Sequence, residues 1–575
     1  MDTLFDKESR REVWTLAFSP DERTLIGGGY PDAKGAVRLW DVSSGTGRLI
    51  PVPSATLPAY FAPDGKTVVT GIFKDAGPEL AAWDMPSLEQ KWRSRLKNER
   101  LLNDLAFQKD GTTLISVGTN GRPQKWRMSD GKELIQFISL GEKGWVTISP
   151  EGYFDSSGPE AEKAINVRIG NDVLGIGNYR EHFYRPDLVK RILAGETINS
   201  TVTLATVKPP PAIVFNEAPG EAKTDEVTLR YTLTDRGGGI GDLNLIVNES
   251  AVQRLSSETH ARNLKRKPDA ANQRTGEITV KLGLGVNQIR LEAFNAGNTV
   301  ASDPAEARIL AKFQARKPKL HVLAIGIDAY DNPRLTLRYA AKDARAVSEA
   351  FKTGATGLFD SVDVTLLTTR EQTSVGAIRK AFDKYRQVAA DDVFVFYVGS
   401  HGSMEGETNV DRRYYLLTSS VGATSLDKIK QTAISQDELK RLIANIPAQK
   451  KLLLLDTCHS GAVADALLSR GMEEDAAIKS LSRAVGSTIL TAATEAQLAL
   501  EGHEGHGLFT WTLLDGLKGS ADSKKRGFVN TNELADYVED KMPEIAEKRF
   551  KARQIPYKNS IGQGFPVVSV GGARQ

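Results

Sequence analysis

The sequence predicts a multidomain chain that runs from short strand repeats, through an all-strand segment, to an α/β domain with helices on both faces of a mostly parallel sheet. Three observations carry that prediction. Tryptophans recur at matched spacing in the first third, alternating strand text fills residues 207–312, and strands alternate with helices over 313–572. At 575 residues the chain is too long for one hydrophobic core. Its 75 basic and 72 acidic residues are interspersed and leave a net charge of +3, so charge gives no reason to invoke nucleic acid or a membrane as partner. A single cysteine rules out an intramolecular disulfide and a two-cysteine zinc site, which points to a reducing compartment. The opening "MDTLFDKESRREVW" has no apolar core of signal-peptide length, and no later run approaches the ~20 apolar residues of a membrane span. The expectation is a soluble, cytoplasmic protein.

In the first region, residues 1–138, "VWTLAFSPDERTLIGGG" leads to "VRLWDVSSG", "LPAYFAPDGKTVVTGIF" to "LAAWDMPS", and "LNDLAFQKDGTTLISVG" to "PQKWRMSDG". Trp40, Trp83 and Trp126 each end an alternating strand before a polar turn, after a hairpin with a "PDG"-like turn. These copies resemble WD repeats, the blades of a β-propeller. The third departs from the pattern, with Arg127 where the aspartate belongs. A closed propeller needs about four to eight blades, and three are clear. Three explanations stand open: an upstream start, degenerate blades after Leu140, or completion by a partner.

Residues 139–206 mix a hairpin signal with a short helical one and are expected to connect the repeats to the all-strand region. "VKPPPA" then supplies a stiff break. From 207 to 312, "EVTLRYTLTD", "GDLNLIVN" and "GEITVKLGLGVNQIRLEAFN" alternate strand by strand and suggest an immunoglobulin-like β-sandwich. Its basic loop "ETHARNLKRKPDAANQRTG" is read as a solvated hairpin loop rather than a recognition patch. "GGGIGD" lacks a following helix or lysine, so it does not read as a phosphate loop.

The last region, 313–572, alternates strand and helix from "LHVLAIGI" through "RYAAKDARAVSEAFK", "SVDVTLLT", "TSVGAIRKAFDKYRQ", "DDVFVFYVGSHG", "SQDELKRLIANI", "KKLLLLDTCHSG" and "STILTAAT" to "LFTWTLLDGL". Ser435 and Glu438 read as a capping box. Two strands end in small, polar, glycine-containing turns, one with His401 and the other with Cys458. The carboxyl edge of an open α/β sheet is where sites form. A thiol is mostly protonated at neutral pH, and an imidazole is the usual agent that activates it. His401 and Cys458 are therefore the minimum apparatus of nucleophilic acyl transfer, with the backbone N–H groups of Gly402 and Cys458 available to an oxyanion. A lone cysteine is often only a small buried hydrophobe, but this one sits in a polar turn matched by a histidine turn.

The ordered set "LHVLAIGIDAY", "AAKDARAV", "FYVGSHG", "LLLLDTCHSG" and "GHGLFTWTLLDGL" resembles the caspase-like cysteine peptidases, and among them the prokaryotic metacaspase-like group. The resemblance implies a hydrolase in which His401 is the catalytic imidazole and Cys458 the nucleophile, and it fits a bacterial multidomain member of that family. Caspases carry glutamine two residues before the cysteine, where this sequence has Asp456; Asp343 matches the acidic position that metacaspases use in the same pocket. Two carboxylates in one pocket need a cation between them, which a substrate arginine or lysine provides. The expected activity is an endopeptidase cutting proteins or peptides after Arg or Lys, with the WD-like and sandwich regions recruiting substrate or protein partners or restraining the protease. A helix-surface salt bridge is the plainer reading of Asp343. The alternative function is an interaction scaffold with a non-proteolytic caspase-like domain; an enzyme acting on something other than a peptide is a weaker third.

His459 is read as a structural residue of the turn, because strand alternation turns it away from Cys458. "GHEGHG", with His503 and His506, lacks the H-E-x-x-H spacing of a zinc helix and reads as a loop lining the site. No cofactor is expected. Calcium activates some metacaspases, but Asp391 and Asp392 stand in no recognisable calcium loop. Arg470, Lys479 and Arg483 offer self-cleavage sites between the cysteine strand and "STILTAAT", unless that segment is an intact amphipathic helix.

Overall fold

The computed structural model describes residues 13–32, 35–50, 56–75, 77–97, 99–169, 172–267, 270–405, 413–423, 425–458, 481, 488–492, 500–559 and 564–570. The chain divides into two units, Met1–Gly177 with Phe183–Thr206, and Asn178–His182 with Val207–Gln575. Among the described residues no helix is long and apolar enough to cross a membrane.

The first unit is mostly strand, in small antiparallel sheets. Four strands from Val13–Phe18 to Gly47–Ile50 form the first, four from Thr56–Phe61 to Gln90–Arg95 the second, and six from Leu102–Phe107 to Phe154–Ser156 the third. The repeated text has a repeated geometry. In the first hairpin of each sheet an aspartate accepts the backbone N–H two residues on: Asp21 from Arg23, Asp64 from Lys66 and Asp110 from Thr112. This is the local turn that such side chains favour. Trp83 and Trp126 each donate an indole N–H to a hydroxyl on the preceding strand, Thr70 at 2.9 Å and Ser116 at 2.8 Å. Asp84 ends its strand by capping Ser87; in the third copy Arg127 instead pairs with Asp130, which caps Lys132. Apolar faces of neighbouring sheets pack together, with Ile26, Leu39, Phe61 and Trp83 in one core and Leu80, Trp92, Leu114 and Trp126 in the next. The hairpin Trp145–Ile148 with Phe154–Ser156, at the start of the expected connector, extends the third sheet.

In the second unit, residues 212–311 form two sheets around a shared core that includes Leu229, Leu233, Leu245, Ile278, Leu291 and Ile309. Strand Glu226–Thr234 alternates exposed and buried positions, as its sequence does.

The remainder of this unit is a mixed sheet covered by helices on both faces. Its elements are β1 (Leu320–Gly326), α1 (Ala340–Gly354), β2 (Val362–Leu367), α2 (Val375–Asp383), β3 (Val393–Glu405), β4 (Arg413–Leu417), β5 (Ala433–Ser435), α3 (Gln436–Ala444), β6 (Lys450–Cys458), β7 (Thr488–Thr491), the hairpin β8 (Glu501–His503) and β9 (His506–Gly507), α4 (Leu508–Asp515), α5 (Thr531–Ile545) and β10 (Tyr557–Asn559). The strand order is β2-β1-β3-β6-β7-β10, parallel throughout except for β10, and β4 with β5 branches from the far half of β3. The four leucines of β6 explain why such a run must be a central strand. Leu453 and Leu455 enter the core shared with α2 and α3, while Leu452 and Leu454 enter the one shared with α1, α4 and α5. Ser435 caps α3 by accepting the N–H of Glu438 at 3.2 Å, but the second half of the expected capping box is absent: the Glu438 carboxylate reaches across to Arg379 of α2.

The two-sheet region and the helix-covered sheet meet at the amino end of β6. Lys451, one residue into that strand, is wholly buried, and its ammonium donates to the Ala251 carbonyl at 2.7 Å and to Ser250 Oγ at 3.2 Å. Desolvation pulls it down to about 7. Nearby, Glu181 lies between Arg254 of the two-sheet region and Lys440 of α3, and these cations hold it down at about 2.

Candidate active site

Parallel pairing of β3 with β6 sets Gly399 opposite Asp456 and His401 opposite Cys458. Neighbouring strands lie about 4.8 Å apart, so the two backbones are adjacent where they leave the sheet. The loop after β1 holds the imidazole. His401 Nε2 lies 2.9 Å from the Leu335 carbonyl, the His401 N–H donates to Tyr330 Oη at 3.0 Å, and the Tyr330 ring lies 5.4 Å from the imidazole centroid. A bond from Nε2–H to a carbonyl fixes the tautomer and leaves the lone pair on Nδ1, the form a general base requires. Gly402 lies in β3 opposite Leu416 of β4. His459, Arg470, Lys479 and Arg483 lie outside the described residues.

Asp456, two residues before Cys458, is buried on the α4 side of the sheet. Its Oδ2 accepts from Thr510 Oγ1 at 2.7 Å and from Tyr397 Oη at 3.5 Å, and those hydroxyls meet each other at 2.7 Å. Asp343, in the first turn of α1, is 2% exposed, which sets aside the reading of a helix-surface salt bridge. Its Oδ1 lies 2.5 Å from His506 Nδ1 and its Oδ2 accepts the Gly507 N–H at 2.9 Å. The two carboxylates converge on Gly507: a Cβ there would lie 3.1 Å from Asp343 Oδ2 and 3.4 Å from Asp456 Oδ2.

Burial raises both acids to about 7, and for Asp456 the neighbouring Asp343 adds to the effect. Around neutrality this site therefore exchanges protons, and an entering cation favours the ionised form. Glu501, raised by burial, and Asp328, which caps the Ala341 N–H, add to the acidic surroundings.

The "GHEGHG" loop is the β8–β9 hairpin. Lys342 of α1 donates to the Gly505 carbonyl at 2.6 Å, Trp511 Nε1 donates to Glu504 at 3.0 Å, and the His503 ring meets the Trp511 indole edge-on at 4.6 Å. His503 and His506 thus turn to different partners, the latter to Asp343. Asp391 accepts the Leu284 N–H, and Asp392 accepts from Lys319, Ala389 and Arg316, with His321 beside it. Among the described residues no group of His, Cys, Asp and Glu is arranged to hold a metal ion.

Sequence reasoning assigned no contact to Tyr330, Leu335, Tyr397, Thr510, His506, Gly507 or Lys451. Tyr330, Thr510 and Gly507 stand inside the caspase-like motifs, so their positions were visible but their partners were not. Leu335 acts through its backbone carbonyl, which carries no sequence signal.

Comparison with known proteins bears on the same stretch. Residues 319–562 match the family model of the caspase domain. No protein of curated function is similar enough to count as a match. Among solved structures, Kuenenia stuttgartiensis hydrazine synthase is similar at 13% identity over 23% of this chain and 51% of its own, with a TM-score of 0.18, too low to bear on fold or function. Residues 319–562 are accordingly a caspase-like domain, similar to the fold of the cysteine peptidases of that family.

Proposed function

We propose that the protein is a cysteine endopeptidase that cleaves after Arg or Lys. In this reading His401 withdraws the thiol proton and later protonates the leaving amine, and Cys458 attacks the scissile carbonyl. The Gly402 and Cys458 N–H groups receive the oxyanion. Asp343 and Asp456 take the substrate's cationic side chain, whose planar guanidinium offers a fork to both. The observation that carries the reading is the convergence of two buried carboxylates on Gly507, one of them two residues before a cysteine whose backbone stands opposite His401 in the strand register. Buried acids this close are costly unless a cation joins them. The strand repeats are read as WD-type blades of a partial β-propeller and residues 207–312 as an immunoglobulin-like sandwich, both serving recruitment or regulation in a cytoplasmic, metacaspase-like enzyme.

The test is turnover of fluorogenic peptides ending in Arg, Lys or Asp by wild type and Cys458→Ala, with and without calcium. Turnover of Arg or Lys peptides that disappears in the variant is the expected result. Asp-selective turnover would overturn the pocket assignment, and silence in every condition would favour the scaffold.

A further inference from the structure

Both oxygens of the Asp343 carboxylate are engaged by consecutive residues of one hairpin, the His506 imidazole on Oδ1 and the Gly507 N–H on Oδ2. That arrangement fixes the carboxylate plane, as a bidentate donor pair does. Glycine at 507 suits it, because a Cβ there would lie 3.1 Å from Asp343 Oδ2, so that the hairpin or the acid would have to give by a few tenths of an ångström. The hairpin is tied to α1 a second time by the Lys342 bond to the Gly505 carbonyl. Building on the acidic-pocket reading, we propose that His506 is a positioning residue for substrate specificity: its Nδ1–H favours the ionised form of Asp343 and aims it at the place where the substrate's cation enters.

The groups around this pair set its charge. Asp343 faces Asp456 from β6, Glu501 from the hairpin and Asp328 from the loop after β1, all of which favour a protonated acid, along with burial. Lys342 of α1 favours the carboxylate. Lys342 and Lys518, the latter just beyond α4, together with burial, disfavour an imidazolium at 506. Glu504, on the hairpin turn itself, is engaged by Trp511. A neutral His506 donates its Nδ1–H to Asp343 when that acid is ionised. When a guanidinium binds, any proton still on Asp343 leaves for solvent; His506 is less buried than the acid.

The experiment is the pH dependence of kcat and KM on an Arg peptide for wild type, His506→Ala and His506→Asn, each checked for folding by thermal melting. Asn Nδ2 falls near the place of imidazole Nδ1 and restores a donor without a titrating ring. In His506→Ala the acid limb of kcat/KM moves up by about one pH unit, and KM at pH 7 rises about five- to tenfold while kcat changes by less than about twofold. His506→Asn recovers most of that loss. An unmoved acid limb, a fall in kcat with KM unchanged, or a folded Asn variant as impaired as Ala would each overturn the inference. If wild type cleaves no Arg or Lys peptide at any pH, the acidic-pocket reading falls and takes the inference with it; cleavage with an unmoved limb removes the inference alone.

Discussion

Gly507 has φ −62° and ψ 144°, which any residue adopts, so replacing it tests space rather than backbone strain. Gly507→Ala sets a methyl group against both carboxylates. The expected result is a loss of about tenfold or more in kcat/KM on Arg peptides, smaller on Lys peptides because an ammonium is more compact, measured on a protein that still melts cooperatively. Equal activity on both substrates would separate the pocket from Gly507. The acids themselves predict a pH profile. With Asp343 and Asp456 both near 7 and coupled, cation binding strengthens as they ionise, so kcat/KM rises through about pH 7. Their effect on stability has the opposite sign. A carboxyl whose folded value is raised contributes stability below its unfolded value near 4, and loses it as pH rises through 7. Asp456→Asn should therefore gain in melting temperature relative to wild type between pH 5 and 8 while losing turnover of Arg and Lys peptides; a constant difference across that range would contradict the assigned shift.

At the scale of elements, β6 joins two chemistries seven residues apart, with the buried Lys451 near its start and Cys458 at its end. Lys451 is neutral more readily when folded than when unfolded, where it titrates near 10.4. Its folded value is lowered, so the fold binds fewer protons than the unfolded chain between about 7 and 10, and stability rises with pH across that window. Lys451→Met removes that slope. Although Ser250 and the Ala251 carbonyl lose their donor at every pH, the balance between variant and wild type must shift toward Met as pH falls from 10 to 7, as urea unfolding would read. A parallel pair of stability curves would rule it out. The sequence made β6 legible because a four-leucine run has nowhere to go but a strand covered on both faces, and the glycine-containing turn marked its end. It also showed Trp40, Trp83 and Trp126 as equivalent positions, which the structure places on the third strand of each sheet. The grip of the hairpin on Asp343 and of the two-sheet region on Lys451 was not legible, because each joins residues more than 150 positions apart through a pair of polar contacts that leave no periodicity.

Over the whole molecule, the caspase match begins at residue 319, but the physical unit begins earlier. The two-sheet region donates Arg254 N–H to Asn445, Leu284 N–H to Asp391 and Asn248 to Gln449, besides solvating Lys451. A fragment starting at 319 would expose these groups and leave Lys451 without its carbonyl partner. It should melt several degrees below a fragment starting at 207, or fail to stay soluble, with the loss larger at pH 7 than at pH 9.5. Equal melting of the two fragments would mean that the two-sheet region is only an appendage. In the first unit, among the described residues, Leu16 and Phe18 stand 56% and 57% exposed on the first sheet.

Six of the seven tryptophans lie before residue 146, and the seventh is Trp511. Its indole is held by Glu504 and touched edge-on by His503, on the same short hairpin whose other strand grips Asp343. In a fragment from residue 207 onward the emission of this single indole would come from the wall of the pocket alone. Titrating an arginine-ended peptide into such a fragment carrying Cys458→Ala would then be followed by light from the protein itself, with no label attached.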